Sequence, residues 1–478
     1  MARMMPGNKF LEGPFAPIQM ECDALDLVVE GEIPSDLSGT FYRNGPNPRF
    51  APRGDYNWFE GDGMLHAFHI ENQKVNYRNR WARTAKFYIE EKLGRNAINP
   101  MNPFDCEPEF SDFALTDKQG AANTAAVWHA DRLLLLEEGH LPFEVDPVTL
   151  ESKGSWTYGG KLGTAMTAHP KVDPVTGELI FFAYMATGPF VNTIALYKVS
   201  PQGLLTEQHI IETPYPAMVH DFVVTENYIL FPIMPLTGDL ERAMLGKPPF
   251  AWEPDRGASI AVLPRNGTAA DVRWLEMDLC FVFHYMNGYD ADGRITVDGC
   301  QFERPPLFPN PDGSANKLTE SHLHRWTIDM NSPDGRVVSE QIDENQSEFP
   351  QVDPRFAMRA YRHGFYTSPD GKVKGKLGPD PDGALFNSIC HFDHQTQSST
   401  RYSFGNAITS EAIVVPKEGT VSEGDAYLLS VVTDLEANAS SLHIFDALAV
   451  GDGPVAIAHL SHRVPAGFHG AWKPLPGR

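Results

Sequence analysis

The chain has 478 residues, with 62 acidic against 39 basic side chains and a formal net charge of −23. That surplus repels phosphate backbones and anionic headgroups over the surface as a whole and argues against nucleic acid as a partner, while leaving room for one apolar face to touch a membrane. No 18 apolar residues run together to cross a bilayer, and the N-terminal MARMMPGNKFLEGPFAPIQMECDA, broken by Gly and Pro, is not expected to act as a secretory signal.

Short apolar runs alternate with turn chemistry along the chain. AAVWHADRLLLLEE places a tight Ala130-Asp131 turn between two runs. The pentapeptide Val-Asp-Pro-Val-Thr occurs at 145–149 and again at 172–176, each time closing one apolar run before the next, as Asp-Pro turns do. FVVTENYILFP turns at Glu226-Asn227, and EGDAYLLSVVTD continues the rhythm. GDLERAMLGKPP reads as one connector helix, with Asp239 as N-cap and Gly246 as its stop.

The 40 Gly and 39 Pro are spread throughout and no linker separates one part from another, so a single domain over 1–478 is expected. Many short strands, few helices and no edges to spare favour an all-β fold, a β-propeller ahead of a pair of sandwiches. Cys22, Cys106, Cys280, Cys300 and Cys390 are odd in number and never spaced CxxC, which predicts reduced thiols in a cytoplasmic protein.

P-loop, GxGxxG, HExxH and GxSxG signatures are absent, which leaves the 17 histidines. His169 in TAHPK, His220 in MVHDF, His284 in FVFHYM and His469 in GFHGAW each stand beside small or apolar neighbours near an expected strand end. Strands from different blades ending near one axis could gather four imidazoles around one ion. Imidazole suits Fe, Zn, Cu and Ni alike, so the ligand type leaves the metal open. The rival cluster Cys390-His391-Phe392-Asp393-His394 is read as a strand running into a turn, because alternation sends Cys390 and Phe392 to one face and His391 and Asp393 to the other.

FYRNGPNP (41–48), WFEGDGMLHAF (58–68), ANTAAV (122–127), TAHPKVDPVTG (167–177), HDFVVTENY (220–228), VLPRNG (262–267), EFPQVDPRF (348–356) and FHGAW (468–472) resemble, in order, the carotenoid cleavage oxygenase family. The resemblance implies a seven-bladed β-propeller with a loop and helix dome over the iron-bearing face. It implies Fe(II) held by His169, His220, His284 and His469, with Glu138, Glu348 and Glu411 orienting His220, His284 and His469, and Thr124 shading one coordination position with its methyl group. The implied reaction uses O2 to split a conjugated C=C bond into two carbonyl products, and Phe59, Phe308 and Phe468 are the expected lining of an apolar tunnel.

FPIMPLTGDLER and WEPDRG are most like the bacterial branch that includes stilbene- and isoeugenol-cleaving members. Those members hold a phenolic hydroxyl with a tyrosine and a lysine, and the corresponding positions here are Pro100 and Glu137. A carboxylate there would oppose a phenolate, so an apocarotenoid or similar long alkene is expected ahead of a phenylpropene or stilbenoid. The segment 232–252 is a candidate lip for peripheral membrane contact. A metal hydrolase, an isomerase or a silent binding scaffold would keep the same histidines.

Overall fold

The computed structural model describes residues 5, 7–54, 56–116, 118, 120–332, 335–371 and 385–475. They fall into two compact units, one of Met1–Ala168, Thr367–His391 and Thr400–Arg478, the other of His169–Tyr366 and Phe392–Ser399.

In the first unit a five-stranded sheet runs in the order Asp23–Ala24, Lys74–Trp81, Gly63–Glu71, Gly39–Pro46 and Gly470–Pro474. A six-stranded sheet joins Val28–Gly31 to Ala456–His459, Ala439–Asp446, Ala426–Asp434 and Ala407–Thr409, with Ile413–Pro416 also on Ala426–Asp434. Both sheets therefore pair strands from the two ends of the chain. The third contains Ala125–His129, Arg132–Leu136, Phe143–Val145 and Ser152–Ser155.

The second unit has three four-stranded sheets, beginning at Lys171–Val172, Val223–Val224 and Phe281–Ala291, and a ribbon of Leu236–Gly238 with Phe250–Trp252. The seventh sheet runs Glu348–Val352, His363–Ser368, Ser388–Asp393 and Ser398–Ser403. Seven such sheets of four to six strands are the blades of a seven-bladed β-propeller, as expected. Three short α-helices, Ala85–Leu93, Ser111–Ala114 and Leu240–Met244, occupy connections among the described residues.

The sequence patterns translate directly. Lys74–Trp81 alternates, burying Val75, Tyr77, Asn79 and Trp81, the signature of a strand with one packed face. Gly39–Pro46 is buried at every position, as a strand covered on both faces must be. Its Phe41 packs with Phe68, Tyr77, Leu429 and Ile444 in one apolar cluster. Ala130 and Asp131 both take positive φ, 48° and 59°, giving the turn whose twist suits a hairpin. The two Val-Asp-Pro-Val-Thr copies fold alike: Asp146 Oδ1 accepts the N–H of Val148 and Thr149, and Asp173 Oδ1 those of Val175 and Thr176. Asp239 caps its helix by accepting the Arg242 N–H, and Gly246 follows at φ 68°. Cys390 lies in the strand Ser388–Asp393, fully buried with Phe392.

Candidate metal centre

In the second unit, two strand starts and one mid-strand bulge deliver imidazoles to one point. His169 precedes Lys171–Val172, His220 precedes Val223–Val224, and His284 lies within Phe281–Ala291. That last strand breaks register against Arg294–Phe302 between Val282 and Tyr285 and again before Asn287. A bulge of this kind re-aims a side chain, and the one it turns is His284. The Nε2 atoms of His169 and His220 stand 3.0 Å apart, and those of His220 and His284 3.2 Å apart. His169 is half-buried and the other two are buried.

A carboxylate fixes what the His284 ring presents. Its Nδ1–H donates to Glu348 Oε2 over 2.5 Å, so its Nε2 carries the lone pair. Glu348 is itself held by the N–H of Phe349 at 2.6 Å. Phe349 adopts φ 50°, a costly conformation for a bulky residue, and its ring stacks on His284 at 5.3 Å. Phe308, expected in the tunnel wall, is buried against Phe283 at 6.4 Å, and Phe283 abuts His220 at 5.0 Å.

The first unit repeats the motif. His469 is buried, its Nδ1–H donates to Glu411 Oε1 over 2.9 Å, and Glu411 Oε2 takes the Gly470 N–H at 2.8 Å. Gly470 is required by close approach, since a Cβ there would lie 2.6 Å from the Phe41 ring. The His469 N–H donates to the Thr124 carbonyl at 3.2 Å. Thr124 is buried, its hydroxyl donating to Asn123, and Asn123 donates in turn to the carbonyls of Phe59 and Gly61. Phe59 stacks on Phe468 with centroids 5.2 Å apart. Thr124, Phe59, Phe468, Glu411 and His469 are thus one connected group.

Three further expected residues are Glu138, Pro100 and Glu137. Glu138 is half-buried in the turn after Arg132–Leu136. Pro100 lines a small cleft with Tyr56, Glu60 and Asn99. Glu137 is the surprise. It is buried, one oxygen accepting the N–H groups of Ala121 and Ala122 and the other paired with His140. Burial raises such a carboxyl, but the neighbouring His140 and the two N–H donors outweigh it and hold Glu137 below the ordinary glutamate range. The like-charge objection to a phenolate assumed a bare carboxylate at this position, whereas the charge is met on both sides. His140, only three residues on, gave no signal in the sequence because the turn alone decides that the two side chains converge.

The donor set fits Fe(II). Three imidazole nitrogens within this range can share one cation, and the His284 tautomer already offers it a lone pair. With metal–nitrogen bonds of about 2.1 Å, neighbouring ligands are about 3.0 Å apart at octahedral angles and about 3.4 Å at tetrahedral ones. The observed 3.0 and 3.2 Å fall within the span of these two values, and imidazole donors suit Fe(II) among other divalent ions. Among the described residues, no cluster of histidine, cysteine and carboxylate other than the one these rings belong to could hold a metal ion.

Comparison with known proteins agrees. The chain is 36% identical over 483 residues to the isoeugenol monooxygenase of Pseudomonas nitroreducens, covering 100% of both. It is 33% identical to carotenoid cleavage oxygenase 1 of Neurospora crassa, over 98% of this chain and 92% of that one. The crystal structure of Pseudomonas brassicacearum lignostilbene dioxygenase superposes with a TM-score of 0.94 at 34% identity, over 98% of this chain and 99% of that one. Residues 15–474 match the family described as retinal pigment epithelial membrane protein, and the chain belongs to that family, the carotenoid cleavage oxygenases.

Proposed function

We propose that the chain is a non-heme Fe(II) oxygenase that uses O2 to cleave a conjugated C=C bond into two carbonyl products, with His169, His220, His284 and His469 as the ligands and residues 1–478 acting as one oxygenase domain. The observation that carries it is the convergence of the His169, His220 and His284 Nε2 atoms, with the His284 tautomer set by Glu348. His469 repeats the same carboxylate-held imidazole, which supports its place as the fourth ligand. When bound, iron supplies the activation of O2; no carboxylate is needed among its ligands.

The other residues act on that centre indirectly. Glu348 and Glu411 keep their rings in one tautomer and orientation, and Glu138 is assigned the same role toward His220. Thr124, in contact with Asn123 and the His469 N–H, is assigned the shading of one coordination position. Phe59, Phe308 and Phe468 hold the alkene and exclude water, and Glu137 stays the residue at the phenol end of the pocket.

For the substrate, a phenylpropene or stilbenoid is favoured by the full-length similarity to an isoeugenol monooxygenase and the TM-score of 0.94 to a lignostilbene dioxygenase. The partnered charge of Glu137 removes the electrostatic argument against it. An apocarotenoid is the second reading, favoured by Pro100 and Glu137 standing where a phenol clamp would have tyrosine and lysine. We place the enzyme in the cytoplasm, supported by five free cysteines. We also place a peripheral membrane contact at segment 232–252, supported by the exposure of Leu240, Met244 and Leu245. Among the described residues no helix is long and apolar enough to cross a membrane.

The test is a product assay on iron-loaded protein under air and under argon, with isoeugenol, resveratrol and an apocarotenal in parallel. Aldehyde formed only under air supports the reading and names the substrate class. Product formed equally under argon would replace it with hydrolysis or isomerisation.

A further inference from the structure

Asp221 follows His220 in the sequence and has no part in the site as described so far. It is 3% exposed, and its two oxygens accept three N–H donors. Oδ1 takes the Lys171 ammonium at 2.7 Å and the Phe222 N–H at 2.8 Å, and Oδ2 takes the Tyr285 N–H at 2.9 Å. Each donor sits beside a different imidazole: Lys171 is two residues beyond His169, Phe222 two beyond His220, and Tyr285 one beyond His284. We propose that Asp221 is a positioning residue whose carboxylate ties together the three backbone segments bearing His169, His220 and His284 and so sets the spacing of their Nε2 atoms.

The chemistry favours a carboxylate over any neutral replacement. Three donors converge on it and it has only acceptors to offer, so all three bonds are charge-assisted. Asparagine keeps the shape but turns an NH2 group toward at least one donor. The tie also meets the bulge, because the Tyr285 N–H lies at the register break that re-aims His284. A short, stiff path from a fixed N–H to the adjacent Cα leaves the ring little freedom, whereas a ligand on an untethered segment would have to be ordered by the metal itself.

The inference rests on these three histidines binding the metal, and the test separates the two ideas. Metal-free wild type, Asp221→Asn, Lys171→Met and His220→Ala are titrated with Co(II). The dissociation constant and the visible absorption of the bound ion are read, and the thermal midpoint of each metal-free protein is measured alongside. Asp221→Asn is expected to bind Co(II) about 10- to 100-fold more weakly with an altered spectrum, the range typical of lost outer contacts to metal ligands. Lys171→Met, changed at a side chain 26% exposed, is expected to lose about tenfold, and it decides the matter if Asp221→Asn does not fold. Affinity and spectrum equal to wild type in the folded variants, whatever the thermal midpoint, would reduce Asp221 to a structural strut and overturn the inference. Failure of wild type to bind, or binding by His220→Ala equal to wild type, would remove the metal reading and this inference with it.

Discussion

His284 donates its Nδ1–H to Glu348 over 2.5 Å, and the same carboxylate oxygen takes the N–H of Phe349. One atom thus fixes both a ring tautomer and a strained backbone turn. Glu348→Gln keeps the size and loses the charge, so it is expected to weaken metal binding about 10- to 100-fold while costing about 1–3 kcal/mol of stability. Metal content after dialysis, set beside urea unfolding of the same preparation, checks the two effects; normal metal retention would leave Glu348 without an orienting role.

Glu137 holds Ala121 and Ala122, the latter at φ 52°, two residues before Thr124. Glu137→Lys would confront two N–H donors and His140 with a cation. It is expected to destabilise the protein by about 3–5 kcal/mol, as breaking a buried pair does, rather than to create a phenol clamp at no cost. Urea unfolding measures the loss, and turnover of a 4-hydroxystilbene shows whether any clamp forms.

Lys86 is buried between Asp62 and Glu90, its ammonium 2.9 Å from each. Burial works against the charge, but the two carboxylates raise the Lys86 pKa above the ordinary value. Lys86→Met leaves both acids without their cation, and a loss of about 3–5 kcal/mol is expected by chemical denaturation. The effect on metal affinity should be small.

Glu60, beside Phe59, is pushed up to about 7 by burial, despite the Asn99 amide that donates to it at 3.0 Å. Its folded value lies above its unfolded one, so the stability it contributes is full below about pH 4.5 and is lost as pH rises through 7. Wild type should therefore lose up to about 3 kcal/mol from this group between those values, and Glu60→Gln should flatten that part of the pH–stability curve. Identical curves for the two proteins would refute the assignment.

Much of this was readable from residues. Hairpin turns at Ala130-Asp131 and at the two Val-Asp-Pro-Val-Thr copies follow from local backbone preferences, as does the Asp239 cap. The four histidines stood out by their small and apolar neighbours, and the family resemblance pointed to Glu348 and Glu411, which hydrogen-bond to His284 and His469. What stayed hidden depends on distant register. The bulge that turns His284 exists only in the pairing of Phe281–Ala291 with Arg294–Phe302. The three donors on Asp221 come from segments up to 64 residues away. Glu137 was legible as a charge but not as a partnered one, because alternation along a strand does not extend through the turn that brings His140 to it.

Histidine ligands are proposed to hold an iron ion on which turnover depends. The most direct measurement is bound iron per chain, read together with oxygen-dependent turnover, in wild type and His220→Ala. Close to one iron per wild-type chain is expected, and little iron and no aldehyde from His220→Ala, because removing one imidazole leaves an open, weakly held ion. One iron per chain and wild-type turnover in His220→Ala would contradict it.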